Sequence, residues 1–86
     1  MNLNEVKALF DELVDNVPSL EGMNFMIARS SVSEGTVDGY EIHMDGKKLD
    51  DQTLKHLHDI ALKRKLSFDQ RKDAVGIYQP KATMLQ

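Results

Sequence analysis

Residues 49–80, LDDQTLKHLHDIALKRKLSFDQRKDAVGIYQP, decide how this chain folds. Asp50 stands just ahead of an apolar pattern of helical period, where a carboxylate accepts from the free amides that open a helix. Leu49 before it and Leu54 after it occupy the two positions of a hydrophobic staple, which fixes how the chain enters that helix. Leu54, Leu57, Ala61 and Leu62 then read as the buried stripe with Ile60 at its margin, while Lys55, His56, Asp59 and Lys63 line the opposite side. Lys63, Arg64 and Lys65 close the helix where its dipole favours positive charge. Beyond them the period shortens to two. Leu66 and Phe68 alternate with Ser67 and Asp69, residues 70–73 supply a polar turn, and residues 74–79 carry Val75 and Ile77 on one face. Pro80 has no N–H for the ladder and ends the strand, so the stretch is a helix followed by a hairpin.

The first half repeats that order. Val6, Leu9, Phe10, Leu13, Val14 and Val17 recur on one helical face, with Glu5, Asp11, Glu12 and Asp15 on the other. Asn2 followed three residues later by Glu5 has the form of a capping box, which starts the helix near Leu3; Pro18 stops it near Asn16. Strands are predicted over residues 24–32, with Phe25 and Ile27 alternating, and over residues 36–44, with Tyr40, Ile42 and Met44 alternating. Ser33, Glu34 and Gly35 form the turn between them, and Gly39 marks a bulge. The fold class is therefore α+β in the order α-β-β-α-β-β, a four-stranded, mainly antiparallel sheet with two helices on one face. A ferredoxin-like β-α-β-β-α-β domain shows this order when it is circularly permuted so that its first strand moves to the chain end. Both helices then cover one face, and the second and fourth strands are central. That fold hosts unrelated functions, so it implies no activity.

The expected core is Val6, Leu9, Phe10, Leu13, Phe25, Ile27, Tyr40, Ile42, Leu54, Leu57, Ala61, Phe68, Val75 and Ile77. At 86 residues the chain has room for one core of ordinary size, so residues 1–80 are predicted to form a single small domain and residues 81–86 a frayed tail. The absence of cysteine leaves neither a disulfide framework nor a thiolate metal site, and hydrophobic packing must suffice. Neither a basic stretch leading into an apolar one nor a long apolar run is present, which predicts a cytoplasmic protein without a membrane partner.

Charge is divided along the chain. Residues 1–45 hold nine Asp/Glu against two Lys/Arg, and residues 46–86 hold nine Lys/Arg against five Asp/Glu, leaving −7 and +4. Lys63, Arg64, Lys65, Arg71 and Lys72 are the candidate nucleic-acid contacts, provided that the helix end and the later turn meet in one patch. Against that, the net charge is −3 and aromatics for base stacking are scarce. The simpler expectation is that the acidic first helix and the basic second helix neutralise each other.

No constellation carries catalysis, a metal or a cofactor. His56 and His58 are two apart and point to nearly opposite sides of a helix, so they cannot share an ion; His58 reads as a boundary histidine beside Leu54 and Ala61. The acids of the first helix are its solvated face, and Asp45-Gly46-Lys47-Lys48 lacks the glycine pattern of a phosphate loop. His43 falls on the open face of the sheet, with Glu41 and Asp69 the nearest acids by strand pattern. Met26, Ala28, His43 and Tyr78 on that face form the candidate interaction surface, small and weakly charged, for a protein partner or for a second copy. The expected function is thus a non-enzymatic protein-interaction or regulatory module, with nucleic-acid binding as the alternative.

Overall fold

In the computed structural model, which describes residues 1–30 and 39–80, both helices begin at side-chain caps. Helix α1 spans Leu3–Asn16. The Glu5 amide donates to Asn2 Oδ1 at 2.8 Å and the Asn2 amide donates to Glu5 Oε1 at 2.9 Å, the reciprocal box read from the sequence. A 3₁₀ turn, Pro18–Leu20, follows. Helix α2 spans Asp51–Lys63, and the Thr53 amide donates to Asp50 Oδ1 at 2.7 Å. The entrance of α2 is tied to the turn that follows α1, because the buried Thr53 hydroxyl lies 2.7 Å from Ser19 Oγ in the 3₁₀ turn.

Strands β1 (Asn24–Ser30), β2 (Gly39–Asp45), β3 (Ser67–Arg71) and β4 (Ala74–Tyr78) form one sheet in the order β1-β2-β4-β3, with every neighbouring pair antiparallel. The molecule is α+β, and the two strands richest in large aliphatics on one face, β2 and β4, are central as predicted. Ile42 opposes Ile77 and Met44 opposes Val75 on the helix-covered face. With Val6, Leu9, Leu13, Leu57, Ile60 and Ala61 from the helices they make a continuous core. Phe10, Phe25, Tyr40, Leu54 and Phe68 pack against it half-buried. No helix among the described residues is long and apolar enough to cross a membrane.

Several expectations are corrected. Leu62 is 65 % exposed and Ile60 is buried, because α2 is rotated toward the side that Thr53 and Ile60 share. On that side the Thr53 hydroxyl also hydrogen-bonds Ser19 of the 3₁₀ turn. Ile27 faces the helices opposite Ile42 but lies on an edge strand, and 42 % of it remains exposed. Val14, on the flank of α1, is 50 % exposed. Strand β3 starts at Ser67 and continues to Arg71, which pairs with Ala74, so the turn shrinks to Lys72 and Asp73. Gly39 marks no bulge, since the register runs unbroken from Asn24↔Asp45 to Ser30↔Gly39. With φ at +150° and no Cβ, it instead lets the Met1 backbone lie against it, and the Tyr40 amide donates to the Met1 carbonyl at 2.7 Å. The turn predicted at Ser33–Gly35 and the tail at 81–86 lie outside the described residues.

The end of α2 has a feature that its lysine-rich sequence conceals. The Lys65 amide donates to the Leu62 carbonyl at 3.0 Å and the Leu66 amide to the Ala61 carbonyl at 2.8 Å, with Lys65 at φ 60°. This is a Schellman closure with lysine at the left-handed position where glycine is strain-free. Lys65→Gly is expected to stabilise the fold by about 0.5–1 kcal/mol, seen as a higher urea midpoint at unchanged slope. A lower midpoint would show that the lysine stem contributes more by packing than its conformation costs.

Candidate functional site

Both helices occupy one side of the sheet and leave the other open. Antiparallel register carries one row across that open face, from Met26 through His43 and Gly76 to Asp69, with Ala28 and Glu41 paired in the next row, where Ser67 also pairs with Tyr78. Met26, Ala28, His43 and Tyr78 therefore share the face. Met26 is 58 % exposed, and the other three are half-buried.

His43 is held in place. Its Nε2 lies 2.8 Å from Glu41 Oε1. An ionised carboxylate only accepts, so Nε2 carries the hydrogen and Nδ1 is left facing β4. A Cβ at residue 76 would stand 3.3 Å from that Nδ1, which is why glycine there lets the imidazole lie across the neighbouring strand. On the far side Arg71 Nε donates to Asp69 Oδ2 at 3.0 Å. Beside these two hydrogen-bonded pairs is a shallow depression of about 190 Å³ lined by His43, Asp69, Arg71, Ala74, Val75 and Gly76. None of these is a hydroxyl or thiol nucleophile for the imidazole to activate. No group of three or more acids and histidines among the described residues is placed to hold a metal ion. His58 is exposed, and its ring centroid lies 5.8 Å from that of Phe68, edge to face, rather than packed at the margin of the α2 stripe beside Leu54 and Ala61.

The basic residues separate. Lys63 to Lys65 close α2 at the start of β3, whereas Arg71 and Lys72 lie at its other end, about 13 Å away for a five-residue strand. The condition for one patch is not met. Arg64 Nε donates to Glu12 Oε1 at 2.6 Å, Lys63 Nζ donates to Glu12 Oε2 at 3.4 Å, and Arg71 is paired with Asp69. Lys47 donates to the carbonyls of Ser19 and Glu21 at 2.8 and 3.0 Å, bracing the 3₁₀ turn. Burial of Glu12 is the largest single influence on its carboxyl and pushes its pKa up. The hydrogen bonds and charges of Arg64 and Lys63 together outweigh it and hold the pKa below the ordinary glutamate value. Acidic α1 and the basic C-terminal end of α2 are thus joined by this triad.

One surface escaped the sequence reading. Where α1 ends and β1 begins, Val14, Val17, Pro18, Leu20, Met23 and Phe25 line an open apolar groove of about 340 Å³. Its only advance signal was Val14, which stands at the edge of the α1 stripe with Pro18 four residues on. No family model, curated protein or solved structure matches this chain.

Proposed function

We propose that this protein is a non-catalytic interaction module that receives a protein partner on the open face of its sheet. The observation that supports this reading is Met26, a large apolar side chain 58 % exposed on a strand face that neither helix covers. A flexible thioether beside small Ala28 adapts to varied partner shapes. The hydrogen-bonded His43–Glu41 pair and the exposed Asp69–Arg71 pair give the same face polar groups that can hydrogen-bond what docks there.

Met26→Asp and Tyr78→Asp test it. Both side chains point away from the core, so thermal unfolding should shift little, while capture of a protein partner by the immobilised chain should fall roughly tenfold or more. Capture unchanged in both folded variants would overturn the assignment of the face.

A further inference from the structure

We infer that β1 is a self-pairing edge, and that two copies of the chain join their sheets through it into one eight-stranded antiparallel sheet. The two edges of the sheet are built differently. β3 is short, five residues, and carries Asp69, Gln70 and Arg71. Charges on a short edge discourage further pairing. β1 has seven residues, pairs only with β2 among the described residues, and carries Phe25, Met26, Ile27 and Ala28 in succession with Arg29 as its single charge. Among the described residues its outward N–H and C=O groups meet no strand, which leaves them for another.

The strand is also complementary to itself. Seven residues place Ile27 at the centre. A twofold axis beside it, midway between the two strands and normal to the sheet, sets Ile27 opposite the partner's Ile27 and Met26 opposite the partner's Ala28. Phe25 then meets the partner's Arg29, and Asn24 meets the partner's Ser30. Apolar residues meet in the middle and polar ones at the ends, and opposed residues share a face. Arg29 comes to the ring of the partner's Phe25, where a guanidinium is favourably placed. On the helix side, Leu3 and Val14 lie with Phe10 along one flank of α1, the flank opposite Glu12 and its contact with α2. Both are exposed, and with Ile27 and the groove beside Phe25 they extend the apolar strip that pairing would cover.

A second copy fits the edge better than it fits the open face. Stacking two open faces would strip water from His43–Glu41 and Asp69–Arg71, a cost that edge pairing avoids. Met26 and Ala28 border both surfaces, so Met26→Asp bears on both proposals, whereas Tyr78 on β4 lies away from the β1 edge and reports on the open face alone.

Sedimentation of the full chain over a concentration series is the test. A short-strand interface is at the small end for stable complexes, so the weight-average mass should climb toward twice the monomer across roughly the micromolar to millimolar range. Ile27→Lys sets two ammonium groups across the axis and Ile27→Glu two carboxylates. Each should weaken the dimer roughly tenfold or more, and an equimolar mixture of the two should recover association. Tyr78→Asp should leave the dimer intact while affecting the open face, so the two proposals fail separately. Should the Ile27 variants unfold, amide exchange in the wild type decides: residues 25–29 should exchange more slowly at high concentration. A wild-type mass fixed at the monomer, folded Ile27→Lys dimerising as well as wild type, or exchange independent of concentration would each overturn the proposal.

Discussion

Leu57→Ala is expected to destabilise the fold by about 2–5 kcal/mol, the largest effect of any single truncation considered for this chain. Leu57 is fully buried midway along α2, inside the core that joins both helices to the central strands. Removing three carbons there loses their transfer free energy and leaves a cavity that close-packed neighbours refill only in part. A domain of this size has few kilocalories in reserve, so much of the population should unfold near physiological temperature. Urea unfolding of wild type and variant measures it. A loss under about 1 kcal/mol would mean that Leu57 does not hold α2 against the sheet. His56→Ala, one position away and exposed, is the matched control.

What could be read in advance was whatever is decided within a few residues. Asn2 with Glu5, and Asp50 ahead of Thr53, close their hydrogen bonds inside one helical turn, so both helix starts were legible as sequence. The central places of β2 and β4 followed from their aliphatic alternation. What the sequence could not show depends on groups brought together from far apart. Leucines surround α2 on several sides, and periodicity alone favoured Leu62 over Ile60; which of them is covered depends on where α1 and the sheet lie against α2, and Ile60 is the one that joins the core. Lys65 closes a helix as glycine usually does, and nothing in a lysine announces a positive φ. The basic residues between 63 and 72 look like one cluster until the direction of β3 separates them. On the open face, alternation placed Met26, Ala28, His43 and Tyr78 together. The imidazole's rest across Gly76 and the exposed β1 edge required the register of strands far apart in sequence.

Charge complementarity between the halves has its own measurable consequence at Glu12, where Glu12→Gln is expected to cost about 1–3 kcal/mol at neutral pH. The Glu12 side chain is only 14 % exposed and accepts from Arg64 at 2.6 Å and Lys63 at 3.4 Å. Loss of its charge therefore leaves the Arg64 guanidinium on the α2 side without its ionic acceptor. The pH dependence has a definite sign. Burial raises the Glu12 pKa and the two cations together lower it by more, so the folded value lies below the unfolded one. A group shifted this way contributes its full stability above the unfolded glutamate pKa and loses it as pH falls through the folded pKa. Wild type and Glu12→Gln should therefore differ most from neutral pH down to the ordinary carboxylate range and converge in stronger acid. Asp50 also titrates low, because the Thr53 side chain and then the Thr53 amide favour its ionised form, and it weakens the fold in acid with the same sign. That contribution is present in both proteins and cancels in their difference, which isolates the helix-to-helix pair. Urea midpoints from neutral to strongly acidic pH make the measurement. A gap between wild type and variant that does not narrow in acid would mean that Glu12 acts through packing rather than through its charge.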